Sequence, residues 1–459
     1  MDTKHEQIVA YMIREVEEGH IRPGHKLPSI RAVAHMFSCS PNTVVHAYQT
    51  LEREDVIYAV SKSGYYLVEG KVRSHTRTES GHIDFASTTP RGDFLPFQQI
   101  EHCLRQAISL YREELFGYTD PQGIATLRNK LRKHFHAQQI FAQPGQIVVV
   151  TGAQQAFSIL TRMPFPGEGQ AVLVEQPTYF GFLAAADVAG CPVIGIQRDV
   201  QGIDLGELEA HFGSGQIKFF FTVPRFLNPL GTSYSLEQKK RIVELASKYG
   251  VYIVEDDYLA DLEEDAKADP LYALDDGKQV IYIKSFSKTI LPGIRMGAAI
   301  LPERLVDLFI NYKNAADIAS PILSQGALEL YMKSGMYRRH ATRIRDHYRE
   351  KMRYAIEVCA RVFGSGIQYT CPSSGVFITL QLPQYVKASV LQDRLKQKGI
   401  SVTNVDQHLL PENQRNDRIR LCIIGVEQPQ IEAFAIIKSL LFLIKVISNL
   451  SLMIVSHHH

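Results

Sequence analysis

VIYIKSFSKTILPGIR, residues 280–295, is an apolar strand that runs straight into a serine, a lysine and an arginine, and its reading decides the fold. VIYIKS is almost continuously apolar, the pattern of a strand buried on both faces of a sheet. Ser285, Lys288 and Arg295 follow at once, so polar groups collect where that strand ends. Working outward, four more runs behave in the same way: IVVV (147–150), AVLVE (171–175), FFFTV (219–223) and VYIVE (251–255). Helical stretches separate them. This alternation predicts an α/β fold with a mostly parallel sheet covered by helices, its ligand groups gathered at the strand C-terminal ends.

The residues at those ends are chemically coherent. A Schiff-base cofactor needs a lysine, an acid that keeps a pyridine nitrogen protonated, donors for a phosphate and a ring to stack on. TGAQQAF is a small-residue turn opening a helix, where the backbone N–H groups of Gly152, Ala153 and Gln154 suit a phosphate. QPTYFG offers Tyr179 for stacking, and PRFLNPLG offers the Asn228 amide to a phenolic oxygen. VYIVE is followed by Asp256, with Tyr258 two residues on. Each sign is weak alone. S-x-x-K recurs by chance and in penicillin-binding proteins, a lone Asp after a strand caps a helix or turn, and NP is generally a turn. Their order, each at a different strand end, points to pyridoxal 5'-phosphate.

Residues 1–68 follow another pattern. Ile8, Val9, Met12, Ile13 and Val16 share one helical face, Gly19 stops that helix, and IRPGHKLPS is rich in breakers. Ile30, Val33, Ala34 and Phe37 mark a second helix. Ser40 as N-cap and Pro41 at the first helical position open a third, with Val44, Tyr48 and Leu51 inward. VIYAV and YYLV, separated by SKSG, read as a hairpin. The whole is a winged helix-turn-helix, in which one helix enters the major groove and the turn and wing hold phosphates. Asn42, Thr43, His46 and Gln49 lie on the outer side of the third helix, Lys62 sits at the wing tip, and Arg31 opens the second helix. The segment has no net basic charge, so on composition alone a small structural or protein-binding unit competes with a DNA-binding one.

Residues 69–82, EGKVRSHTRTESGH, have no apolar periodicity and read as a solvated linker. Residues 83–438 carry the cofactor-binding pattern, with a smaller α+β lobe expected from about residue 310. Residues 439–459 are an apolar C-terminal segment. Leu440–Val455 is too short for a membrane span of about 20 residues. It reads instead as a buried terminal helix, and His457, His458 and His459 as a remnant of a purification tag.

A chain of 459 residues is long enough for two or three units, and 45% hydrophobic with 21% charged residues suits a substantial core. The net charge of +2 gives no whole-protein argument for nucleic acid. Cysteines 39, 103, 191, 359, 371 and 422 form no CxxC and no Cys/His cluster at metal spacing. Reduced thiols in a cytoplasmic protein without a metal are expected. The N-terminus lacks an apolar signal core.

PGHKLPSIRAVAHMFSCSPNTVVHAYQTLEREDVIYAVSKSGYYL, residues 23–67, is similar to the head of the GntR family along its full length. It carries P-G-x-x-L-P-S-x-R, a serine before the recognition helix, T-V-x-x-A-Y-x-x-L and a glycine-containing wing. The resemblance implies that Arg31 contacts DNA and that Ser40, Asn42 and Thr43 occupy polar positions at the start of the recognition helix. Pro41 stands where many members place an arginine that reads guanine, and the wing reads SKSGYY instead of G-x-G-x-F, which leaves the operator open.

The strand-end set resembles fold-type I aminotransferases over residues 83 to about 435, with LFGYTDPQGIATLR and RIRLCIIG as further matches. The resemblance makes Lys288 the Schiff-base lysine, pairs Asp256 with the pyridine nitrogen and sets Tyr258 and Asn228 on the phenolate. Ser285 and Arg295 join the phosphate cup, Tyr118 reaches a partner subunit's cofactor, and Arg420 binds a substrate α-carboxylate. The fusion of head and body resembles the MocR subgroup of GntR regulators. That implies a homodimer on double-stranded promoter DNA, off the membrane, sensing the cofactor or a small amino compound. An active aminotransferase with an accessory head is the competing reading. Many members carry T-P-S-H-Q-x-P-T-G where this chain has VPRFLNPLG, and no arginine follows Tyr179 to recognise a second carboxylate, so the ligand stays open.

Overall fold

The computed structural model describes residues 3–22, 24–53, 56–60, 63–67, 81–265, 268–276 and 279–456. Helices α1 (Lys4–Glu17), α2 (Ile30–Met36) and α3 (Pro41–Arg53) precede an antiparallel hairpin of β1 (Ile57–Val60) and β2 (Gly64–Leu67). Side-chain caps explain where the helices begin. Thr3 and Glu6 form a capping box on α1, Ser29 accepts from Ala32 N–H, and Ser40 Oγ accepts from Thr43 N–H at 3.2 Å. Ile8, Met12, Val33, Val44, Tyr48 and Leu51 close the small core, and Tyr48 donates its hydroxyl to Pro28 O at 2.9 Å.

The body opens with β3 (Ile83–Asp84), α4 (Phe97–Leu110), α5 (Ala125–His136), β4 (Ile147–Val150), α6 (Ala153–Arg162), β5 (Ala171–Gln176) and α7 (Phe180–Val188). It continues through β6 (Val193–Asp199), β7 (Gly202–Ile203), α8 (Leu205–Gly213), β8 (Ile217–Thr222), α9 (Leu236–Tyr249), β9 (Tyr252–Asp256) and α10 (Leu271–Leu274). β10 (Val280–Ser285), β11 (Gly297–Ile300), α11 (Glu303–Asp317) and α12 (Ile322–Lys333) complete it. Eight strands form one sheet in the order β4-β11-β10-β9-β8-β5-β6-β7. The run β10-β9-β8-β5-β6 is parallel and β11 is antiparallel to both its neighbours. Apolar side chains from both faces of β4, β5, β8, β9 and β10 enter two cores, which is why these strands show no alternation.

The smaller lobe packs around the far part of α13 (Met336–Phe363). It contains β12 (Phe377–Gln381), α14 (Ala388–Gln397), β13 (Ile400–Ser401), β14 (Thr403–Asn404), β15 (Arg418–Cys422) and α15 (Phe434–Ser456). The expected boundary near residue 310 differs from what is seen. Ala327, Leu328, Tyr331 and Tyr337 belong to the core of the large sheet, and α12 packs on α4 and α5. In the other direction β3 pairs with β13, so Ile83 and Phe85 join the smaller lobe. The terminal helix is buried on one side only: Leu440, Leu441 and Ile444 face the core, whereas Phe442, Leu443 and Ile447 are exposed. Among the described residues no helix is long and apolar enough to cross a membrane.

Candidate functional site

The parallel strands end on a common cavity of about 200 Å³. Ala153, Gln154, Tyr179, Asn228, Asp256, Tyr258, Ser285, Lys288 and Arg295 all line it, so residues nominated from five separate strand ends meet in one place. Lys288 lies just beyond β10, and its Nζ donates to Thr88 O and, at 3.0 Å, to Thr88 Oγ1. Burial lowers the pKa of this amine, favouring the neutral, nucleophilic form.

Asp256, the last residue of β9, is buried and its Oδ1 has no hydrogen-bond partner. Burial, aided by the negative charge of Asp257, pushes its carboxyl up to about 8, against the pull of Lys284. A buried carboxyl left in this state accepts a cationic N–H well, and the pyridine nitrogen of pyridoxal phosphate is such a group. The opposite end of the cavity suits a phosphate. Gly152 has φ +76° at the start of α6, a backbone conformation that favours glycine, and the Arg295 guanidinium lies 2.7 Å from where a Cβ would stand. The N-terminal end of α6, Arg295, Ser285 and Ser287 thus converge. Tyr179 supplies a ring between the two ends. A Cβ on Gly181 would lie 2.6 Å from that ring, and Gln154 Nε2 ties the same glycine's carbonyl at 2.6 Å. The residues present fit the cofactor.

One nominated residue behaves differently from the simple expectation, and a second lies apart from the rest. Tyr258 lines the cavity, yet its hydroxyl donates to Phe226 O at 2.7 Å. Tyr118 stands 85% exposed and outside this chain's cavity, with Phe116 beside it 94% exposed.

Arg420, on β15, is buried beside Asn228 and stacks on Phe377 with 5.0 Å between its Cζ and the ring centroid. It donates to Asn228 Oδ1 at 2.9 Å, to Thr403 Oγ1 at 2.9 Å and to Ala86 O, and it approaches His408 Nε2 at 3.5 Å. Burial and Arg420 together hold His408 down to about 3, so that imidazole is neutral. Among the described residues the hydrogen-bond partners of Arg420 are therefore all uncharged. Its hydrogen bonds thus leave the guanidinium without a directly bonded counter-ion, although Asp84 lies close enough to favour its charge. Sequence reasoning missed Thr88, Ser287, Thr403 and His408. Ser287 stands inside the quoted S-x-x-K stretch and was findable there; Thr88 reaches the cavity through tertiary packing, while Thr403 and His408 touch Arg420 outside the cavity lining.

In the head, Arg31, Ser40, Asn42 and His46 are exposed and Thr43 is half-buried. Ser40 and Thr43 also bond each other, Oγ to Oγ1 at 2.9 Å, so both help to start the recognition helix. Lys62 lies outside the described residues. The wing is held against the body. His102 of α4 packs on the rings of Tyr58 and Tyr66, at 5.6 and 5.0 Å between centroids, and Arg339 reaches Ala59 O at 3.3 Å and Glu52 at 3.6 Å. This contact leaves the outer side of α3 open to solvent.

Comparison with known proteins matches the same two parts. The model of the bacterial regulatory proteins of the gntR family covers residues 4–67, and that of aminotransferase class I and II covers residues 81–436. The uncharacterized HTH-type transcriptional regulator YcxD of Bacillus subtilis (strain 168) is 43% identical over 415 residues, 89% of this chain and 93% of the relative. The probable rhizopine catabolism regulatory protein MocR of Rhizobium meliloti is 24% identical over 425 residues, 86% of this chain and 85% of the relative. Among solved structures, kynurenine aminotransferase of Pyrococcus horikoshii superposes with a TM-score of 0.72 at 26% identity, covering 80% of this chain and 91% of that one. The likeness to YcxD extends over nine-tenths of the chain, and the protein belongs to the aminotransferase class I and II family in its gntR-headed form, consistent with the MocR subgroup of regulators.

Proposed function

We propose that this protein is a transcription regulator that binds double-stranded promoter DNA through its head and holds pyridoxal 5'-phosphate in its body. Its affinity for the operator changes when a small amino compound enters the site. The observation that carries this reading is the pairing, in one chain, of an open recognition helix with a cavity whose buried acid, Asp256, has an oxygen without a partner. When bound, pyridoxal phosphate supplies an electrophilic carbon and an electron sink. Lys288 offers an amine whose pKa burial lowers, just beyond β10, and Thr88 orients it. Asp256 would hold a proton on the pyridine nitrogen, Tyr179 would cover the ring, and Arg295 with the first turn of α6 would take the phosphate. Arg420 draws in a carboxylate, bringing β15 of the smaller lobe toward the amine.

The proposal includes a cytoplasmic location and a homodimer, since Tyr118 can serve a cofactor only by reaching into a second copy. A ligand shifts DNA affinity only if it binds two head placements unequally, and DNA must then shift ligand affinity by the same factor. The purified protein is expected to be yellow with pyridoxal phosphate, to retain the label on Lys288 after borohydride, and to lose it in Lys288→Ala. A protein that stays colourless with added cofactor would refute the cofactor half, and promoter binding unaffected by removal of residues 1–80 would refute the DNA half. The lowered amine and complete carboxylate receptor also suit an aminotransferase, which would release a keto acid at a catalytic rate.

A further inference from the structure

We infer that the amino compound is an α-amino acid with an apolar side chain, and best an aromatic one; the inference rests on the cofactor site proposed above. Two anchor points set the spacing. Lys288 Nζ donates to Thr88 O and Arg420 to Ala86 O, and these carbonyls are two residues apart on one segment, no more than about 7 Å. Lys288 and Arg420 thus approach the same short segment, an arrangement that accommodates an amine and a carboxylate borne on a single carbon.

The rest of the wall decides the side chain. Phe180 stands 44% exposed at the cavity, edge-on to His408 with 5.6 Å between centroids, while Phe377 lies beneath Arg420. Among the described lining residues the cations are Lys288 and Arg295, the first at the amine and the second at the Gly152 turn. Arg91, three residues beyond Thr88, is already paired with Asp93 at 2.9 Å and Glu427 at 2.7 Å. His408, the remaining basic group nearby, is held neutral. A second carboxylate would lose its water here and meet no counter-charge. An aromatic ring would instead cover the exposed face of Phe180, where edge-to-face or offset stacking adds to simple burial. The loop by which a second copy would close the site exposes Phe116 and Tyr118, two further rings.

The test titrates the full-length, cofactor-loaded protein with L-phenylalanine, L-leucine, L-aspartate, L-glutamate and 4-aminobutyrate. Displacement of the cofactor absorption band and calorimetric binding are followed in parallel. L-phenylalanine should shift the band at concentrations at least about tenfold below L-aspartate or L-glutamate, with L-leucine between and 4-aminobutyrate weakest. Phe180→Ala should weaken L-phenylalanine about tenfold while the band of the bound cofactor stays in place, and Phe180→Arg should narrow or reverse the preference over the dicarboxylates. Dicarboxylates acting at equal or lower concentration than L-phenylalanine would overturn the inference. So would a protein that carries the cofactor on Lys288 and responds to none of the amines, although the cofactor assignment would then stand. Absence of any cofactor band would remove the underlying reading, and this inference with it.

Discussion

Replacing Asp256 with Asn should move the free and cofactor-loaded proteins in opposite directions. The Asp256 carboxyl is buried, with one oxygen unpartnered, and stands near 8 where the ordinary value is 3.8. An acid whose folded pKa is raised costs the fold nothing below its unfolded value, and its cost grows as pH climbs from the lower figure to the higher. At pH 7 the linkage reaches at most about 4 kcal/mol against the cofactor-free fold. Asn carries no charge, but burying its amide takes back about 1–3 kcal/mol. Cofactor-free Asp256→Asn should therefore be the more stable protein at pH 7 by about 1–3 kcal/mol, an advantage that fades toward pH 4. Loaded protein should show the reverse. The substitution removes a charge-assisted partner from the pyridinium, and cofactor affinity should fall by about 100-fold or more. Urea unfolding of the free protein at pH 7 and pH 4.5, with an equilibrium titration of pyridoxal phosphate, reads both changes. A variant that binds the cofactor as tightly as the parent, or whose free form is weakened at pH 7, would refute the assignment of Asp256.

Buried histidines make the opposite contribution on the acid side. His340 is held near 4 and His408 near 3, below their ordinary 6.5, so the unfolded chain takes up protons that the folded chain refuses. Their support, intact above about pH 6.5, should drain by about 2 kcal/mol each by pH 5; urea midpoints of Asp256→Asn that do not change between pH 7.5 and pH 5 would contradict it. In the head, Arg31→Ala should weaken operator binding about tenfold while leaving the cofactor spectrum unchanged, since Arg31 is exposed and belongs to a separate core. A gel shift showing equal operator affinity would remove Arg31 from the interface.

The large sheet and the cofactor residues were legible because one cause produced both signals. A strand buried on two faces is continuously apolar, and the chemistry sits at its C-terminal end, so reading the strand also locates the group that follows. Asp256 at the end of β9 and Lys288 after β10 could be named on that basis. Thr403 and His408 could not. Thr403 lies in a two-residue strand, β14, and His408 ends the short helical turn after it, in a stretch with no motif, and they matter because β14 pairs with β15 and so sets them against Arg420. The smaller lobe was misplaced for a related reason. Apolar spacing over residues 322–337 announces helix but cannot say which core receives its face.

The wing shows where composition is least informative. Residues 69–82 read as a solvated linker and VIYAV as one strand of a hairpin that follows the head's three helices and their small core. Ile57 does face that core, but Tyr58 and Val60, on the alternate positions, join the core of the large body beside Ile100 and Cys103. A two-residue period predicts two faces for a strand and is silent on what covers the second. Here the body covers it. The head is thereby held by its wing, next to α4, while Asn42 and His46 of the recognition helix point away from the contact into solvent. α4 also carries Ala107, which meets Gly326 of α12, and it leads directly into the segment bearing Phe116 and Tyr118. One helix thus touches the wing at His102 and ends beside the residues that would enter a second copy's site. A displacement of that helix, or of Arg339 on α13, would move the wing and with it the recognition helix.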